Sequence, residues 1–476
     1  MSTIKRIAKN TSSLLLAQLI ASIFGIVLSV YIARLLGDIN FGKYSFAIAF
    51  TSFFVIFSDL GYHTLLVREV SKDRNNAAKY LSNVIGIRII LSVIFFIFII
   101  GIINLMGYPN DTKDFVYLFG ASAILTAFAT VFNMIFRSFE KMEYDALLNT
   151  IIMIIKVILS IFVLYLGYGL IEVGFVFLFV SIINVILGFF ICHYKFVKPK
   201  ITIDMSFWKS SIKLALPISL ASIFGLIYIK IDTIMLSVMK GDAVVGWYNA
   251  SYNLTLGLTP IPDLFMNALL PMMALYSISQ KEALKNIFEK SFKYLFIFGL
   301  PIAVGTTLLA DKIVFLIYGN QYMNSIIALQ ILAWDILLVF LYRCIYYLLI
   351  SINKQNLVMI VAGSCALINI GLNLLLIPSY SYVGSGIATI ITEIILLSFF
   401  FYFSSKYIHR IPLHKIVIKP IIACLFMGIL IYVLPHLNLF ILIVISSLVY
   451  FSILYITKAF SQDEIKMIKK IVKRSE

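Results

Sequence analysis

From about Thr11 to Ala33 the chain is apolar almost without a break, and runs of that length, separated by short polar stretches, return along nearly all of it. A run of about twenty apolar residues is what a helix needs to cross the hydrocarbon of a bilayer. The pattern therefore predicts an all-α integral membrane protein with about 14 transmembrane helices: six in residues 1–200, six in residues 201–410 and two in residues 411–476. The first run follows "MSTIKRIAKN", is longer than a signal-peptide core and lacks a small-x-small cleavage pattern, so it reads as a retained span. The connections are short. No folded soluble domain is expected, and any chemistry has to take place at membrane depth.

The pattern also repeats. "ASIFG" occurs at Ala21 to Gly25 and again at Ala221 to Gly225. After a four-residue slip, about one helical turn, the copies lock into one offset. "GDINFGKY" from Gly37 answers "GDAVVGWY" from Gly241, Asp59 and Leu60 answer Asp263 and Leu264, and Leu65 and Leu66 answer Leu269 and Leu270. Farther on, "SFEKME" after span four lies opposite "SINKQN" after span ten. Spans one to six and seven to twelve thus read as two pseudo-symmetric six-helix lobes. Six is even, so the repeat is parallel, and two facing bundles leave a central cleft whose rocking gives alternating access. The last two spans have no counterpart. A transporter is the expectation, with a structural membrane protein as the bland alternative.

Composition agrees: 62% of residues are hydrophobic, 13% are charged, and mean hydropathy is +1.02. A net charge of +16 would suggest nucleic acid in a soluble protein. Here the basic residues cluster between spans on one side, as in "VREVSKDRNNAAK", "KFVKPK" and the tail "KMIKKIVKRSE". The positive-inside bias puts that side and both termini in the cytoplasm, with anionic lipids as partners and no nucleic acid. Cys192, Cys344, Cys365 and Cys424 show neither CxxC spacing nor a neighbouring histidine, so no disulfide scaffold, metal or cofactor is expected.

Ionisable residues inside spans cost about 2.5 to 3.5 kcal/mol each on insertion scales, so they face a partner or a cavity. Asp59, Arg88 and Lys156 lie in the first half, with Arg34 at the outer end of span one; Lys230, Asp232, Asp263, Asp335, Arg343 and Glu393 lie in the second. Converging, Arg34, Arg88, Lys156, Lys230 and Arg343 would form a cationic cleft for an anionic substrate. Asp59, His63, Asp232, Asp263 and Asp335 are candidates for ion coupling; His63 follows Asp59 by one helical turn on the same face, so the two could share a proton. Lys230 and Asp232, two residues apart, point to different sides of span seven. Pro260 and Pro262 in "TPIP" should bend span eight ahead of Asp263. Each of these charges also has a purely structural reading, as a pair within the bundle or a side chain snorkelling to the interface.

"GDINFGKY" satisfies G-x-x-x-x-G-K, but Tyr44 stands where a P-loop needs Ser or Thr, and the setting is a loop between membrane helices. ATP binding is rejected. With no HExxH, GxSxG or DxD either, the chain does not read as an enzyme.

The opening span with "ARLLGDINFGKYSFAIAF" and "DLGYHTLLVREVSKDR", then "IDTIMLSVMKGDAVVGWYNASY" and "NALLPMMA", resembles the polysaccharide flippases of the multidrug, oligosaccharidyl-lipid and polysaccharide exporter superfamily. The resemblance covers essentially the whole chain. It implies a V-shaped two-lobe fold in the plasma membrane that moves polyprenyl- or dolichyl-diphosphate-linked oligosaccharide to the outer leaflet. Glycosyltransferases or a polymerase of the same pathway would be partners. The rivals are an ion-coupled drug or metabolite exporter of the same superfamily, and a membrane-embedded glycan polymerase or ligase. The first would favour an acidic cleft on twelve spans; the second needs a sizeable outer loop or an acidic metal motif.

Overall fold

Two helices are far too long for one crossing. α1 (Thr3–Asp59) has 57 residues and α13 (Gln355–Tyr407) has 53, roughly 80 Å each against a hydrocarbon core of about 30 Å. Each is interrupted once, at Gly37 (φ 81°, ψ 175°) and at Ser381 (φ 53°, ψ −137°), leaving two arms long enough to span. The computed structural model describes residues 3–59, 61–198 and 204–460; Leu60 and the basic tail "KMIKKIVKRSE" lie outside the described residues.

Between the long helices run α2 (Tyr62–Lys72), α3 (Ala77–Leu105), α4 (Asn110–Ser138), α5 (Met142–Tyr165), α6 (Leu170–Lys195), α7 (Met205–Lys240), α8 (Asp242–Leu256), α9 (Pro260–Ser279), α10 (Lys281–Leu308), α11 (Ala310–Tyr318) and α12 (Ser325–Ser351). α14 (Leu413–Val433) and α15 (Leu439–Ile456) follow, and no strand occurs among the described residues. Among the described residues, twelve stretches are long and apolar enough to cross a membrane. Dividing the two broken ones at Gly37 and Ser381 gives the fourteen spans expected from the apolar pattern.

Two compact units emerge, Met1–Ala250 with Ala362–Ser385, and Ser251–Val361 with Gly386–Glu476. In the first, α2 to α6 enclose a core that includes Leu65, Leu81, Phe132, Phe136, Leu148 and Val180. The start of α7 is tied to it: Trp208 Nε1 donates to the Asn83 carbonyl at 3.2 Å, and Tyr62 and Ser211 share a hydrogen bond at 3.0 Å. Asp204 caps α7, and hydrogen bonds from Ser206 and the Phe207 amide hold its carboxyl below the usual range. In the second unit α10 packs on α12 and α14, and Tyr450 of α15 donates to the Ile297 carbonyl at 2.8 Å.

The repeat is visible in the backbone. Gly241 (φ 88°, ψ 177°) reproduces Gly37. Glu140 and Asn353, third residues of "SFEKME" and "SINKQN", both have φ 59°, and both turns close with the same bonds: Glu140 N to Arg137 O and Lys141 N to Phe136 O, then Asn353 N to Ile350 O and Lys354 N to Leu349 O.

Within the first unit the two GDxxxGxY copies touch each other. A Cβ on Gly42 would lie 1.8 Å from the Asp242 carbonyl oxygen, and one on Gly246 would lie 2.1 Å from that of Asp38. Only glycine lets the second arm of α1 and the start of α8 meet backbone to backbone. Trp247 Nε1 donates to Asp38 Oδ2 at 2.7 Å, and Lys43 pairs with Asp111. Tyr108 meets Ser237 at 2.8 Å, and burial pushes its phenol up to about 12, so it stays a neutral partner. The P-loop-like string is thus a helix–helix contact.

Candidate functional site

α1 ends at Asp59, and Gly61, left-handed at φ 76°, precedes α2. Asp59 and His63 therefore sit on different helices, and each takes another partner. Arg88, 2% exposed in the middle of α3, pairs with Asp59 and donates to Thr130 Oγ1 of α4 at 3.2 Å. His63 Nε2 lies 3.2 Å from Arg137 Nη1. A guanidinium only donates, so a hydrogen bond here has Nε2 as its acceptor. Arg137 Nε in turn donates to Asp145 Oδ2 at 2.5 Å, and the fully buried Asp145 also accepts from Asn149 Nδ2 at 2.5 Å. Neutralising a buried carboxylate with a hydrogen-bonded arginine is what membrane depth demands.

Alongside this network lies a cavity of about 480 Å³, lined wholly by residues of the first unit, among them Gln18, Thr126, Asn149, Met153, Lys156 and Asn184. Its size falls within the range of small-molecule pockets, about 300 to 1,000 Å³. Lys156 stands over the Phe177 ring at 5.0 Å, and among the described residues no carboxylate forms an ion pair with it. Asn184, 4% exposed, has a side-chain oxygen with no hydrogen-bond partner.

The second unit treats its repeat aspartate similarly but with different material. Asp263 stands in the first turn of α9, beyond the interruption at residues 257–259, and "TPIP" caps and opens α9 rather than bending a continuous helix. Arg343 Nε approaches Asp263 Oδ1 at 3.4 Å, Tyr347 donates to the same oxygen at 3.4 Å, and the guanidinium faces the rings of Tyr342 and Tyr346 at 5.3 and 5.6 Å. In the register that sets Ser138 against Ser351, Arg343 falls opposite Thr130. Each copy neutralises its aspartate with arginine, from span three in one and span ten in the other. Asp335 of α12 and Glu393 of α13 are both buried.

The family model described as "Polysaccharide biosynthesis protein" matches residues 7–277, more than half of the chain. The chain belongs to that family. It is a multi-pass membrane protein of the exporter superfamily expected from its motifs, and the model described as MatE matches residues 217–375. The capsular polysaccharide biosynthesis protein CapF of Staphylococcus aureus is 22% identical over 84% of this chain and 99% of its own. An uncharacterised membrane protein of Methanocaldococcus jannaschii, MJ1068, is also 22% identical, over the whole of both chains. In three dimensions the fold is similar to the lipid II flippase MurJ in an inward closed conformation, with TM-score 0.78, 20% identity, and coverage of 93% of this chain and 98% of that one. An inward-facing multidrug resistance MATE transporter follows with TM-score 0.59, 15% identity, and coverage of 81% and 95%.

In this member of the polysaccharide biosynthesis family the remaining sequence candidates are dispersed. Asp232, 2% exposed, accepts from Tyr248 Oη and Asn373 Nδ2, both at 2.8 Å, and so joins α7, α8 and the first arm of α13. Lys230, two residues earlier, is half-buried and has no ion pair among the described residues. Arg34 is exposed. Arg137, Asp145, Asn149 and Asn184 were not singled out by sequence. Arg137 and Asp145 flank the polar stretch "SFEKME" and look like loop residues, and buried asparagines carry no charge to draw attention.

Proposed function

We propose that this chain is a flippase, carrying a polyprenyl- or dolichyl-diphosphate-linked oligosaccharide from the cytoplasmic to the outer leaflet by alternating access, for assembly of a cell-surface glycan. The observation that carries the reading is Lys156, an intramembrane cation with no carboxylate partner among the described residues, lining a cavity that also carries Thr126, Asn149 and Asn184. Burying an uncompensated cation is costly unless an anion visits it. The family match and the names of CapF and MurJ support the same reading. Lys156 and Lys230 would meet the anionic substrate directly; Arg34, Arg88 and Arg343 add positive potential. Coupling to an ion gradient would fall to Asp59, His63, Asp232, Asp263 or Asp335. Transport needs no catalytic residue. The protein would work in the plasma membrane with both termini cytoplasmic, between glycosyltransferases that build the substrate and a polymerase that consumes it.

The match of residues 217–375 to MatE favours a second reading, an ion-coupled exporter of small molecules. Proteoliposomes separate the two. Fluorescent lipid-linked oligosaccharide should become accessible at the far leaflet faster than in protein-free vesicles, whereas a cationic dye should not accumulate. No acceleration under any imposed sodium or proton gradient would overturn the flippase reading.

A further inference from the structure

The cavity in the first unit carries neutral polar groups that a diphosphate does not require. We infer that it holds the glycan rather than the diphosphate, and selects a sugar carrying a single carboxylate; this rests on the flippase reading above. Charge comes first. Arg137 is committed to Asp145, so, among the described residues, Lys156 is the ionised side chain of the lining left uncompensated. It matches one negative charge. A diphosphate brings at least a second, which at this depth would stay unbalanced. The neutral groups point the same way. Asn184 brings a carboxamide to the lining, and a sugar hydroxyl can pair with such a group. Thr126 adds a hydroxyl, held 3.0 Å from Ser181, which itself is buried and also bonded to Ser122, and the exposed Gln18 adds a carboxamide. In the same lining, Ile152 and Met153 offer apolar surface for the C–H face of a pyranose. Hydroxyl-rich, flat on one side and singly anionic describes a uronic acid residue.

The test uses the full chain in proteoliposomes with two fluorescent polyprenyl-diphosphate trisaccharides that differ only in a terminal glucuronate or glucose. Lys156→Gln should slow transfer of the glucuronate probe about tenfold or more and leave the glucose probe within about twofold. Lys156→Arg should restore the glucuronate probe. Asn184→Asp, which adds a negative charge to the cavity, should slow the glucuronate probe more than the glucose probe. Rates are normalised to protein recovered in the vesicles, and if Lys156→Gln does not accumulate, the other two variants carry the comparison. Equal slowing of both probes would assign Lys156 to the shared diphosphate and overturn the inference while leaving the flippase reading standing. If the unmodified chain moves neither probe, the flippase reading falls and this inference falls with it.

Discussion

Arg88 and Lys156 are both cations at membrane depth, yet their surroundings give opposite expectations. Arg88 is committed to Asp59 and Thr130, so Arg88→Ala strands a carboxylate and should cost about 3 kcal/mol, the low end of the usual range because the Asp59 side chain keeps 29% of its exposure. Thermal unfolding in detergent should show the loss, and adding Asp59→Asn should recover part of it; a purely additive double variant would mean that the two groups do not act as a pair. Lys230 has no ion pair among the described residues, so Lys230→Met should leave membrane abundance unchanged. A steep drop in abundance would give Lys230 a folding role. The positions of these charges were legible in the sequence, because charges within apolar runs stand out. Their pairing was not. The four-residue spacing of Asp59 and His63 implies one face only if the helix is continuous, and a single left-handed Gly61 breaks it. Arg137 and Asp145 lie on two helices, where no periodicity can pair them.

The helices raise a different question, how close two of them can come. Gly42→Ala or Gly246→Ala would force a methyl group into a carbonyl oxygen, and either should sharply reduce folded protein in membranes, whereas Gly101→Ala, with nothing within 4 Å of the added carbon, should be tolerated. Size-exclusion profiles of the three variants after solubilisation provide the comparison, and a normal Gly42→Ala profile would contradict the close contact. At the break in α13, Ser381 holds φ 53° and ψ −137°, a conformation that suits glycine and strains serine by roughly 1 to 3 kcal/mol. Ser381→Gly should raise the melting temperature; a fall would locate compensating bonds at the serine side chain. The number of spans was readable because apolar runs and their polar punctuation are set by the bilayer. The merging of spans into α1 and α13 was not, since one residue with an unusual φ leaves no mark on hydropathy.

For the whole molecule, orientation is the property most open to a direct check. All four native cysteines are buried, so background labelling by a membrane-impermeant maleimide should be low. A cysteine placed at Lys113 should react from outside intact cells, and one at Lys141 only after permeabilisation; the reverse pattern would invert the topology argued from the basic clusters. The repeat was legible in the GDxxxGxY strings and recurs in matching turns at Glu140 and Asn353. Compactness follows another rule: α7, the start of α8 and Ala362–Ser385 of α13 join the first unit. A register comparison sees descent, whereas packing answers to contacts such as Asp232 with Asn373 and Trp247 with Asp38, which differ between the copies.

The reciprocal glycine contact also limits how the chain can change. A clash against a side chain can be relieved by trimming that side chain, but Gly42 and Gly246 abut main-chain carbonyls, which no substitution removes. Suppressors of a Gly42 variant should therefore not arise at Asp242. They should arise where bulk sets the distance between α1 and α8, and the two copies are bound to keep these glycines together however far the rest of the halves drift apart.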